Sequence, residues 1–133
     1  MKPEIDAGTV RRLLTAAQRA ARRAYAPYSG FPVGAAVLTA GGKVYSGANV
    51  ENGSYGLTVC AERIAVFKAV NAGVRQIKAI LVYTPTDNFT PPCGACLQVL
   101  SEFANEAVII LACRQGTRQL KLSNLLPLQF RLK

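Results

Sequence analysis

Three cysteines and one glutamate constrain this 133-residue chain more than anything else in it. They stand in two short runs, Cys60-Ala61-Glu62 and Pro92-Cys93-Gly94-Ala95-Cys96, and each run reads as the start of a helix. A fold that uses both must bring two helix N-termini to one point. Zinc takes thiolates in tetrahedral geometry, and a catalytic site keeps three protein ligands and leaves the fourth position to water. Cys60, Cys93 and Cys96 supply three such ligands, which implies one zinc per chain. Glu62 lies two residues past the first ligand, beside the metal without binding it, where a carboxylate can carry the protons of the water. A lone Glu in a first helical turn is explained by the helix dipole alone; here the flanking ligands favour the chemical reading. Redox use of Cys93 and Cys96 leaves Cys60 and Glu62 without a role. The competing metal reading is a closed four-cysteine site in a nucleic-acid-binding module, with Cys113 as fourth ligand; Cys113→Ser would release zinc there and retain it in a catalytic site. The bland reading of Cys113 is a small apolar residue in the core.

A chain of this length suits one domain, residues 1–133, which buries roughly two-thirds of its unfolded surface without staples. Lys plus Arg number 16 against 7 Asp plus Glu, a formal charge of +9, which raises nucleic acid as a partner. Arg11, Arg12, Arg19, Arg22 and Arg23 cluster, but Val10, Leu13, Leu14, Ala17, Ala21 and Ala24 recur between them at helical spacing. That pattern makes the arginines the solvated outer face of an amphipathic helix, with no specific nucleic-acid partner expected. Met1-Lys2-Pro3-Glu4-Ile5-Asp6 is charged and lacks the apolar run of a secretory signal, and no stretch approaches the ~20 apolar residues of a membrane span. The expectation is a soluble cytoplasmic protein with no membrane contact.

After the first helix, Ala26-Pro27-Tyr28-Ser29-Gly30 breaks the pattern. Val33 to Leu38 then reads as a strand, Gly41-Gly42 as a tight turn and Lys43 to Asn49 as the returning strand of a hairpin. Val50 to Gly56 is polar loop, followed by a helix from about Thr58 to Ala72 that stops at Gly73. Ile77 to Tyr83 is a continuous β-branched run, as in a strand covered on both faces. Thr84 to Pro92 is loop, Cys93 opens a third helix, and Ala107 to Cys113 is a second buried strand. The connection Arg114-Gln115-Gly116-Thr117 to a last strand, Arg118 to Leu122, is too short for a parallel crossover and predicts antiparallel pairing. One mixed sheet with helices on its faces accommodates this order.

The two cysteine runs follow the pattern of the zinc nucleobase deaminases: a His or Cys, one residue, Glu, then Pro-Cys-x-x-Cys. With Tyr28 to Ala36, Asn49 to Gly56 and Leu125 to Phe130 in the same order, the chain resembles the small homotetrameric zinc-dependent cytidine deaminases over nearly its whole length. The resemblance implies a three-layer α/β fold, with a mixed five-stranded sheet, helices on both faces and a C-terminal antiparallel hairpin. That hairpin marks the free-nucleoside branch, since base editors of RNA and DNA pair the last strand in parallel. It further implies a nucleoside substrate: hydrolysis of cytidine and deoxycytidine to the uridine forms with release of ammonia, a step of pyrimidine salvage.

For the site, the resemblance assigns Asn49 and Glu51 to the ribose hydroxyls and the backbone of Ala61 to the base edge. Phe31 and Phe130 would be aromatic walls, some contributed by neighbouring subunits, and Tyr55 would reach a neighbour's site. Arg63 would donate to the ligand sulfurs, offsetting with the two helix N-termini the net −1 of zinc with three thiolates. The plainer readings are an Asx-type turn with a solvated Glu for Asn49 and Glu51, a surface ion pair for Arg63, and core packing for Phe31, Tyr55 and Phe130. One position departs from the family: Leu97 stands where Arg is usual. The alternative enzyme is an aminohydrolase of a modified cytosine nucleoside, such as blasticidin S or an N4-substituted cytidine.

Overall fold

The computed structural model describes residues 4–132; Met1, Lys2 and Pro3, half of the segment read as lacking a leader, lie outside them. Helix α1 (Ala7–Ala21) starts where Asp6 caps it, the Asp6 carboxylate accepting from Thr9 N at 3.2 Å and from the Thr9 hydroxyl at 2.7 Å. Strands β1 (Gly34–Thr39) and β2 (Val44–Ala48) form the expected hairpin, and α2 (Ala61–Asn71) leads to β3 (Ile77–Tyr83). Helix α3 (Gly94–Phe103) then precedes β4 (Val108–Cys113), β5 (Gly116–Lys121) and a single turn, α4 (Leu122–Leu125). No helix among the described residues is long and apolar enough to cross a membrane.

The sheet runs β2-β1-β3-β4-β5. Only β3 and β4, joined through α3, are parallel; β5 pairs antiparallel with β4, as the short connection requires. Side chains alternate across the sheet with period two. One face carries Ala35, Val37, Ile80, Val82, Ile109 and Leu111 into a core shared with α2 and α3. The other carries Ala36, Leu38, Leu81, Ile110 and Ala112 against Leu13 and Ala17 of α1. The result is three layers, with helices on both faces. Burial of a side chain such as Leu13, fully inside, contributes about 1.5–3 kcal/mol.

Two glycines let the layers close. A Cβ on Gly34 would lie 1.9 Å from the Ala17 carbonyl oxygen of α1, and one on Gly47 would lie 2.7 Å from the Ala65 amide nitrogen of α2. Each helix therefore rests on bare strand backbone, and α2 is thereby fixed over the β1–β2 hairpin.

Beyond shifts of a single residue at element ends, the boundaries differ from expectation in four places. The second helix begins at Ala61, not Thr58, because Val59 is spent on an antiparallel bridge with Val50. The last strand begins at Gly116, paired with Cys113, and ends before Leu122, which is fully buried and opens α4. Arg22 and Arg23 follow α1 in a turn and do not ride on its regular part, since Ala21 is its last residue. Finally, Val50 to Gly56 is not uniformly loop: Tyr55–Leu57 is a 3-10 turn.

Candidate metal centre and active site

Cys60 and Cys93 are the N-caps of α2 and α3, both in extended backbone conformation (ψ 156° and 172°). Neither uses its side chain to cap the helix, so both sulfurs are free to turn inward. Cys96 is the third residue of α3, one turn on, and buried. The three sulfurs lie within 4.8 Å of one another, and Cys60 Sγ is 3.9 Å from Cys93 Sγ. Tetrahedral zinc with Zn–S bonds of about 2.3 Å separates its sulfurs by about 3.8 Å. The donor set and its spacing thus fit a zinc ion. Cys113 is not part of the cluster; it sits at the end of β4, 7 % exposed. The closed four-cysteine site therefore lacks its fourth ligand, and the core reading of Cys113 holds.

The charges around the cluster are unequal. The Cys60 thiol is brought down to about 5, chiefly by a hydrogen bond from Cys96 and, against the cost of burial, by Arg63. Cys96, donating to Cys60 and buried, is pushed up. Arg63 Nη2 lies 3.5 Å from Cys60 Sγ, and the bond to that thiolate raises the arginine further above its ordinary value. Its Nε is buried and has no acceptor among the described residues. The surface ion pair considered for Arg63 is absent there; the guanidinium turns to sulfur.

Glu62 is the second residue of α2 and only 5 % exposed. Burial pushes its carboxyl up to about 7, and the neighbouring Cys60 charge acts in the same direction. A carboxyl that half-ionises near neutrality is suited to taking and returning a proton. Ala61, the first residue of α2, is fully buried beside it.

Asn49 and Glu51 are brought to the same end of the molecule by pairings that the sequence did not disclose. Val50 bridges Tyr25 on one side and Val59 on the other. Tyr25 N donates to Asn49 O at 3.0 Å and Glu51 N donates to Tyr25 O at 2.8 Å. Since Cys60 follows Val59 directly, this miniature ladder ties Asn49 and Glu51 to the first metal ligand. Both side chains are engaged. Asn49 Oδ1 accepts from Val33 N at 2.9 Å, and its Nδ2 donates to Phe31 O at 3.0 Å. Glu51 Oε1 accepts from Tyr28 N at 2.9 Å and Ser29 N at 3.1 Å, while Oε2 accepts from the Ser29 hydroxyl. The bond from that hydroxyl, with the two amides, holds the Glu51 carboxyl below its ordinary value. Tyr28 and Ser29 thus hold the Glu51 carboxylate in place, a contact that the sequence reading did not anticipate. The signal was present in the turn Pro27-Tyr28-Ser29-Gly30, whose amides form a seat for an anion.

A cavity of about 230 Å³ opens beside Glu51, lined by Tyr28, Ser29, Tyr55 and Thr58. Tyr28 and Tyr55 meet edge to face, ring centres 5.8 Å apart. Phe31, Tyr55 and Phe130 are all exposed, so none of them is the core residue of the plainer reading. Phe130 touches α3 through its carbonyl, which accepts from Gln98 Nε2 at 3.4 Å. Leu97 is buried in the core shared with α2, so an apolar side chain fills this place.

A three-thiol centre with a buried carboxyl beside it, at two helix N-termini near the C-terminal ends of a parallel strand pair, defines a metal-dependent hydrolase site. Residues 8–112 match the family model described as the cytidine and deoxycytidylate deaminase zinc-binding region. A cytidine deaminase of Sporosarcina psychrophila is 51 % identical over 96 residues, 72 % of this chain and 71 % of that protein. Another, of Halalkalibacterium halodurans, is 48 % identical over 117 residues, 86 % of this chain and 89 % of that one. The crystal structure of a cytidine deaminase from Burkholderia pseudomallei superimposes with a TM-score of 0.86 at 46 % identity, covering 90 % of this chain and 98 % of that structure. The chain belongs to the cytidine and deoxycytidylate deaminase family.

Proposed function

We propose that the protein hydrolyses cytidine and deoxycytidine to uridine and deoxyuridine, releasing ammonia. The observation that carries this reading is the buried Glu62 set beside three sulfurs that lie within 4.8 Å of one another. Cys60, Cys93 and Cys96 would hold one zinc per chain, which would supply a Lewis acid able to lower the pKa of water from about 15.7 toward ~7. Glu62 takes a proton from the attacking water and delivers it to N3 of cytosine as C4 is attacked, then carries the remaining proton of the new C4 hydroxyl to the amino group, which leaves as ammonia as the C4 carbonyl forms. Arg63 holds Cys60 as thiolate. The Ala61 backbone reads the base edge.

Asn49 and Glu51 bind the ribose hydroxyls with what their loop contacts leave over. An amide carries two N–H donors, of which Asn49 gives one to Phe31, and a carboxylate has about four acceptor positions, of which Glu51 has filled three. One donor, on Asn49 Nδ2, and at least one acceptor, on Glu51, remain, the pair a sugar hydroxyl needs. This favours an ordinary ribose over blasticidin S. Phe31 and Phe130 wall the base, with Tyr55 and Phe130 reaching a neighbour's site in a homotetramer. A cytoplasmic role in pyrimidine salvage completes the proposal, with no sequence-specific nucleic-acid partner.

The test is ammonia release by the purified zinc protein from cytidine, deoxycytidine, free cytosine, N4-substituted cytidine, blasticidin S and single-stranded oligonucleotides. Turnover of the first two is expected. Turnover of the oligonucleotides, or of a modified nucleoside alone, refutes the proposal.

A further inference from the structure

The charge on α1 plays no part in the deaminase site, yet it is not scattered. At about 100° per residue, Arg11, Arg12 and Arg19 fall within an arc of about 100°, along about 12 Å of helix, and Arg22, the C-cap residue, extends the row. Arg23 continues the row in the following turn. All five are exposed, and Thr15, between them, is exposed as well. No Asp or Glu occurs between Asp6 and Glu51, and the one ion pair among the described residues, Arg114 with Asp87, lies elsewhere. Arg12 reaches across to the β1–β2 turn, its Nη2 donating to Gly42 O at 3.1 Å, which brings Lys43 to the margin of the row. Tyr25, just beyond Arg23, is 55 % exposed.

We propose that this outer face of α1 docks the phosphate backbone of single-stranded nucleic acid, without regard to sequence and without deaminating it. The row is built of arginine, whose planar fork matches phosphate in a bidentate manner where lysine offers a point charge. An exposed aromatic at its end offers a base a stacking face, the second element of single-strand binding. An anionic membrane is the poorer fit. A helix lying in a membrane needs an apolar face to insert, and that face of α1, with Leu13 and Ala17 fully buried, is already committed to the sheet.

The test measures binding of the full-length zinc protein to a fluorescent 20-nucleotide RNA across a salt series. The variant Arg11→Glu/Arg19→Glu/Arg22→Glu is compared with Lys78→Glu/Arg118→Glu/Arg131→Glu, which changes net charge equally at exposed positions off the row. The α1 variant is expected to lose at least tenfold in affinity. Its log–log salt slope should be shallower by about 2, from three contacts at about 0.7 each. The control should keep the parent slope, and both should keep cytidine turnover, which reports the fold. Equal losses in the two variants overturn the proposal, because total charge would then explain binding. So does a parent that fails to bind RNA, equal competition by a duplex of the same length, or stronger capture by vesicles of anionic phospholipid.

Discussion

At the scale of the residue, the proposed reaction rests most heavily on Glu62, which is 5 % exposed and whose carboxyl burial raises to about 7. Glu62→Gln keeps shape and volume while removing proton transfer. Zinc content should persist, and turnover should fall by at least the ~10²- to 10⁴-fold of a lost general acid–base. The loss should appear in kcat, with KM little changed. Retained turnover at the parent rate, or a protein without zinc, would remove Glu62 from its role. Glu51 makes the opposite case, since its carboxyl is held low by Ser29 and the Tyr28 and Ser29 amides. A carboxylate whose folded pKa is depressed contributes stability that is fully present above the unfolded value of about 4.3 and is lost as pH falls through the folded value. In urea melts, Glu51→Gln should therefore lower the midpoint at pH 7 and lower it less at pH 3. An equal difference at both pH values would mean that the charge of Glu51 does not hold the Tyr28–Ser29 turn.

At the scale of the element, the site depends on where helices begin, and their beginnings depend on how closely they rest on strands. Gly47→Ala puts a Cβ 2.7 Å from the α2 backbone at Ala65, which cannot yield as a flexible side chain would. Overpacking of this kind costs about 1–3 kcal/mol. The denaturation midpoint should drop accordingly, and zinc affinity should drop with it because α2 carries Cys60. Unchanged affinity in a destabilised variant would show that the metal centre does not depend on this contact. Much of this architecture was legible in the sequence. Apolar runs bounded by turn residues marked the strands, helical spacing and end signals marked the three long helices, and the brevity of Arg114-Gln115-Gly116-Thr117 dictated the antiparallel last strand. What escaped was set by tertiary contacts: the Tyr25–Val50–Val59 ladder, which delays α2 to Ala61, joins single residues far apart in sequence. The metal ligands were readable because zinc demands particular residue types at particular spacing. The seat of Glu51 was harder to read, because two of its three donors are backbone amides, which leave no mark in side-chain identity, and only the Ser29 hydroxyl carried a signal.

At the scale of the whole molecule, the surface around the site is unusually apolar. Tyr28, Val50, Tyr55 and Leu57 are exposed near it, and Leu128, Phe130 and Leu132 along the C-terminal segment. Such a surface suits the contacts that the proposed tetramer needs, and that tetramer predicts a light-scattering mass of four chains. Phe130→Ala should raise KM if that ring closes a neighbour's site; a monomeric parent with full activity would exclude shared sites. The thiolate centre is also part of what keeps α2 and α3 together, since metal binding is coupled to folding. Cys93→Ala should therefore lose metal and stability at once. The most direct measurement is cytidine turnover followed against zinc content as the metal is stripped by a chelator under reducing conditions and then returned. About one zinc per chain at full activity is predicted, with activity falling in proportion to the metal and recovering with it. Full turnover by rigorously metal-free protein would contradict a zinc-dependent deaminase built on Cys60, Cys93 and Cys96.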